Sequence, residues 1–211
     1  MEWLKPNFSF ILGSGFSRAL HSAMPVTSHL GEEVSEMEAI KEAGLSSLGK
    51  YDVEALLSYC FSFYPWFSES EYHSRRSLFS NLVEKIRRII VESESNFIVK
   101  NTPEYISNLF EFWKERKIII STFNYDTIFE KIAMKAESDK KSYNDLYKLP
   151  MQDVFDRFSG GMFGGGPPNT KQSTLAKLHG SINWYYDGSF DDQSGQIFLG
   201  PASLDKQNLF F

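Results

Sequence analysis

Asn124 and Asp126 flank Tyr125 in the run Ser121-Thr122-Phe123-Asn124-Tyr125-Asp126. An amide and a carboxylate two residues apart can grip hydroxyls and a carboxamide. Farther along, His179 stands beside Gly180 in Lys177-Leu178-His179-Gly180-Ser181. Histidine is the side chain best suited to take a proton near neutral pH. Near the start, Gly13-Ser14-Gly15-Phe16-Ser17 sets two glycines around a small residue. Such a turn lets backbone approach a ligand closely, with N–H groups free to face a phosphate. Each motif also has a plainer reading. Asn and Asp are ordinary helix caps, a single histidine is usually structural, and many G-x-G turns bind nothing.

The elements around these residues predict one shared edge. Lys117-Ile118-Ile119-Ile120 reads as a buried parallel strand reaching Ser121. Ile128, Phe129, Ile132 and Ala133 recur at helical spacing after Asp126. Phe8–Leu12 predicts a strand entering the Gly13–Gly15 turn, and Thr174–Leu178 a strand ending at His179. All three motifs then lie at carboxyl ends of strands, where open α/β sheets bind ligands. The dinucleotide fingerprint is incomplete, because Arg18 stands where its third glycine belongs and no acidic residue follows a clear second strand. An ordinary nicotinamide dehydrogenase is therefore not expected.

Between the first and second strands the pattern is helical. A helix is predicted from Leu30 to about Ala43, with Gly44 and Gly49 breaking the pattern. Asp52 should cap the next helix, with Val53, Leu56, Leu57 and Cys60 on one face. Glu71 to about Glu94 carries the stripe Leu78, Leu82, Val83, Ile86, Ile89 and Ile90. Arg75, Arg76, Lys85, Arg87 and Arg88 lie mostly off it, either as a solvated face or as a nucleic-acid surface. Thr102-Pro103-Glu104 starts a helix running to about Glu115. The segment Ser138–Asn144 reads as polar and exposed. The Gly-rich stretch Ser159–Pro168 reads as a connection or lid rather than a phosphate site.

The bulk composition narrows the classes. The 211 residues are 42% hydrophobic and 23% charged, as in ordinary globular proteins. Nineteen phenylalanines suggest a ring-rich core. A net charge of -5 disfavours a broad nucleic-acid face. The single Cys60 rules out an intramolecular disulfide and any zinc site built from cysteine pairs. No metal is expected. Met1–Pro6 lacks a basic segment followed by an apolar one, and no run of 18 apolar residues occurs, so a cytoplasmic location is the expectation.

The motifs at 13–17, 122–126 and 177–181 together resemble the sirtuin superfamily. The match is closer to the SIR2-like domains of bacterial anti-phage defence proteins than to the deacetylases. Arg18, Met24-Pro25 and Asp52–Ser58 are similar to that defence branch as well. The likeness spans about residues 8 to 205. It implies one domain over 1–211 with an α/β fold. The core would be a Rossmann-like parallel sheet with a helical insertion over about 28–115. This is a sirtuin- or DHS-like NAD-binding fold, here without the zinc module. It implies hydrolysis of NAD+ to nicotinamide and ADP-ribose, with NAD+ depletion as the defence. By the resemblance, Asn124, Asp126 and His179 are catalytic. Asn124 would hold ribose hydroxyls or water, Asp126 would accept from the carboxamide, and His179 would be the general base. Gly13, Ser14, Gly15 and Phe16 would offer backbone to the pyrophosphate and Ser17 its hydroxyl. Thr122, Gly180 and Ser181 would complete the NAD-binding set. NAD+ is the implied substrate. Control would come from a homo-oligomer, a sensor or ATPase partner, an Argonaute-like partner or a fused domain, with neither membrane nor direct nucleic-acid binding.

Two departures separate the chain from the deacetylases: the missing cysteine pairs, and Phe123 where they place Gln. The family also has a later strand and a Gly-x-Ser turn. Between Trp184 and Phe211 only Gln196–Leu199 reads as a strand, with Pro201 soon after. The sheet is therefore expected to lack its last strand and to expose an edge or an apolar patch near Leu209–Phe211. The rival readings are an NAD- or ADP-ribose-binding module without turnover, a deacetylase or ADP-ribosyltransferase, and a nucleic-acid sensor.

Overall fold

The computed structural model describes residues 9–136, 143–147, 151–153, 175–186 and 196–201. The Gly-rich stretch at 159–168 and the apolar end at 209–211 lie outside these residues. In chain order the elements are β1 (Ser9–Leu12), α1 (Ser14–Leu20), α2 (Thr27–Ser35), α3 (Glu38–Glu42), α4 (Ser46–Tyr51), α5 (Val53–Phe61), α6 (Glu69–Glu94), α7 (Glu104–Arg116), β2 (Ile119–Thr122), α8 (Ile128–Ala136), β3 (Gln152–Asp153), β4 (Leu175–Lys177), β5 (Trp184–Tyr186) and β6 (Ile197–Leu199). Two compact units result: Met1–Leu20 with Phe97–Phe211, and His21–Asn96. The fold is α/β.

In the first unit β2 lies between β1 and β4, and all three run parallel. Phe10 pairs in register with Ile120, and Ile120 with Leu175. The helices α7 and α8 pack together through rings. Phe110 and Phe129 have centroids 4.7 Å apart, and Trp113 lies 5.5 Å from Phe10 on β1. Phe16 of α1 joins the same cluster, 6.5 Å from Phe129. The ring-rich core is therefore an aromatic layer against the sheet. Among the described residues β1 pairs on one side only, with β2, and its Ile11 is 69% exposed.

The strand expected from Lys117 begins instead at Ile119. Lys117 takes a left-handed conformation (φ 53°) that closes α7. There the Lys117 and Ile118 N–H groups bond to Lys114 O and Trp113 O, a Schellman closure built without glycine. Ile197–Leu199 does form a strand, but not in the parallel sheet. It pairs antiparallel with β5 and parallel with β3 in a second small sheet.

The second unit is helical and its local signals are strong. Asp52 caps α5 by accepting from Ala55 N–H at 2.8 Å, and Val53, Leu56 and Cys60 are buried. A capping box between Ser68 and Glu71 starts α6 two residues before the expected Glu71. Leu78, Leu82, Ile86 and Ile90 form the buried stripe of that helix. The helix expected from Leu30 to Ala43 is in fact two. Ser35 Oγ bonds back to Glu32 O, and Met37 turns extended before α3. Gly49 breaks nothing. It sits inside α4, and a Cβ on Gly31 of α2 would come within 2.7 Å of Gly49 O, so these two helices touch at backbone distance. The insertion expected over about 28–115 differs at both boundaries. The helical unit spans His21–Asn96, and α7 belongs with the sheet through its Phe110 and Trp113.

Candidate ligand site at the carboxyl edge of the sheet

The loops after β1 and β2 are joined by backbone and by short polar side chains. Phe123 N–H donates to Leu12 O at 3.2 Å. The Thr122 hydroxyl donates to the same carbonyl at 3.1 Å and accepts from Asn124 N–H at 3.0 Å. Asn124 then reaches back to the first motif. Its Nδ2 donates to Gly13 O at 3.0 Å and to Ser17 Oγ at 2.9 Å. Ser17 in turn donates to Asp126 Oδ1 at 2.9 Å. The same Oδ1 accepts from Ile128 N–H at 3.1 Å. Ser17, Asn124 and Asp126 are all buried, so this chain of bonds is made away from water and fixes its members.

Asn124 and Asp126 thus divide the two sequence readings. Asp126 does cap, because one oxygen holds the first turn of α8. Asn124 does not, because it donates both amide protons inward. Its Oδ1 accepts no hydrogen bond from any described residue.

The third motif docks on the second. Leu178 N–H donates to Thr122 O, and Ile182 N–H to Tyr125 O, both at 2.9 Å. Gly180 has φ +82°, a conformation that glycine adopts without strain. His179, the residue before Gly180, is exposed. The His179 ring lies 4.8 Å from Phe123 and 6.1 Å from Tyr125, centroid to centroid. His179 therefore packs on residues flanking Asn124. Gly13 and Gly15 are exposed, and a Cβ built on either meets nothing within 4 Å. Bare backbone faces open space at that end of β1.

Several expected contact groups are committed within the protein. Phe16 N–H bonds to Gly13 O at 2.9 Å, and the Ser17 and Thr122 hydroxyls are engaged as above. Ser181 Oγ donates to Tyr125 O at 3.2 Å. Among the described residues the Gly13–Gly15 backbone and Asn124 Oδ1 carry no such commitment to a side chain beyond those given above, and the exposed His179 ring packs on Phe123 and Tyr125, which flank Asn124 in sequence.

A second polar cluster lies beside the first and was not singled out from the sequence. Lys177 Nζ contacts Glu130 Oε1 at 2.9 Å, with both side chains 1% exposed. It also donates to Ser181 Oγ at 2.7 Å and to Asp126 O. The Tyr147 hydroxyl donates to Glu130 Oε1 at 2.7 Å and accepts from Asn183 Nδ2 at 3.4 Å. Burial first, and the Glu130 carboxylate second, push the Tyr147 phenol well above its usual range. A lysine at an inward position of a strand was the available signal.

The basic residues of α6 are engaged inside their own unit. Arg75 lies 3.7 Å from the ring centroids of both Tyr59 and Phe67. Lys85 pairs with Glu33, and Arg87 and Arg88 with Glu84. Among the described residues no group of three His, Cys, Asp or Glu could hold a metal ion. No described helix is long and apolar enough to cross a membrane. Comparison with family models, curated proteins and solved structures returned no match.

Proposed function

We propose that this chain hydrolyses NAD+ to nicotinamide and ADP-ribose, as the SIR2-like resemblance implies, and that NAD+ depletion serves bacterial anti-phage defence. The observation that carries the reading is the Asn124 amide. Both its protons are spent on Gly13 and Ser17, so its oxygen is left as an acceptor, on a residue between Phe123 and Tyr125, on which the His179 ring packs. Breaking the bond between nicotinamide and ribose leaves an electron-poor C1′. Asn124 Oδ1 accepts an O–H from the attacking water or from a ribose hydroxyl. His179 takes the proton that water loses as its oxygen bonds to C1′. Nicotinamide departs with the electron pair of the broken bond. The Gly13–Gly15 backbone faces the pyrophosphate.

The test is nicotinamide release from NAD+ by the purified protein. His179→Ala and Asn124→Ala should each lower it by at least about 10²-fold, the lower end for a general acid or base. Near-wild-type release from His179→Ala would overturn the assignment. A binding module without turnover is the second reading. It is favoured by Asp126, whose Oδ1 is already shared between Ser17 and Ile128. Calorimetric binding of NAD+ with no nicotinamide released would select it.

A further inference from the structure

We infer that Lys177 is a positioning residue, whose buried ammonium locks the loop carrying Asn124 to the loop carrying His179. The inference rests on the NAD+ reading for what those loops do, but not for the lock itself. An ammonium has three donors, and three acceptors meet it: Asp126 O, Glu130 Oε1 and Ser181 Oγ. Ser181 Oγ in turn donates a hydrogen bond to Tyr125 O. Two successive carbonyls of the 122–127 loop are thereby held from the side where the 178–182 loop packs. Glu130 balances the charge from α8 and is itself held by Tyr147. Stability alone does not account for the pair, since apolar residues of similar volume often replace buried ion pairs without loss. An apolar side chain could not bind two acceptors on different loops. The pair thus supplies geometry, and the residues it aligns are the open acceptor and the base.

The test is the double variant Lys177→Met with Glu130→Gln. It leaves no unpaired charge, and the new amide oxygen remains an acceptor for Tyr147. Its melting temperature should stay near that of the wild type. Its kcat for NAD+ should fall by about 10- to 10²-fold with KM little changed, the cost of a misalignment near 1 Å. In native-state hydrogen exchange the Leu178 and Ile182 amides, which bond Thr122 O and Tyr125 O, should exchange faster. A wild-type kcat or unchanged exchange at these amides overturns the inference. If the wild type releases no nicotinamide, the functional reading fails and exchange alone decides the lock. If the double variant does not fold, Ser181→Ala removes the relay and one of the three ammonium acceptors while keeping the Lys177–Glu130 pair. It should speed exchange at Ile182, and unchanged exchange there overturns the lock.

Discussion

The two units bury polar groups to very different extents, only Ser35 and Glu94 among the described residues of the helical unit being buried polar residues. The helical unit buries aliphatic stripes, among them Leu30, Val34, Ile40, Leu56, Leu82 and Ile90. It keeps ion pairs such as Lys41–Glu36 and Lys85–Glu33 at the surface. The sheet unit buries Ser17, Thr122, Asn124, Asp126, Glu130, Lys177 and Asn183 around one edge. Burying polar groups costs free energy unless partners are supplied with good geometry. A surface ion pair contributes little either way. The contrast separates a part that needs only to be packed from a part that must hold particular atoms in place.

The largest expected effect tests the sheet unit. Lys177→Met alone leaves Glu130 buried without its counter-charge and should cost about 3–5 kcal/mol in denaturant unfolding. A loss below about 1 kcal/mol would mean the pair is not desolvated as its burial suggests. Next is the helical unit. Leu56→Ala should destabilise by about 2–5 kcal/mol through the cavity it leaves, yet leave kcat unchanged at temperatures where the protein stays folded. A kcat that fell along with stability would erase the distinction between the units.

A smaller effect of opposite sign is expected at the end of α7. Lys117→Gly relieves a left-handed lysine and should stabilise by about 1 kcal/mol, read as a raised melting temperature. The smallest effect concerns pH. The Tyr147 phenol is raised in the folded state above its usual 10.0. Its contribution to stability is therefore complete below that value and is lost as pH rises through the folded one. The difference in melting temperature between wild type and Tyr147→Phe should be flat up to about pH 10 and shrink beyond it. A difference that changed between pH 6 and 9 would assign the effect to another group.

The sequence by itself determined what neighbouring residues decide. The stripe from Leu78 to Ile90, the Asp52 cap, the strands ending in the three motifs and the buried Cys60 all follow from spacing within one element. Those signals repeat at the period of the structure they build, so a single chain displays them. Where two local preferences competed, periodicity misled. The apolar spacing ran on through Glu36 and Met37, while a serine back-bond ended α2. Only the tertiary structure decided that Ile197–Leu199 would leave the parallel sheet for a small one of its own. It alone joined Ser17 to Asp126 across 109 positions and Lys177 to Glu130 across 47. A buried polar contact uses one residue from each of two distant elements. No period or spacing ties the two together, so the partners become visible only when the chain has brought them within bonding distance.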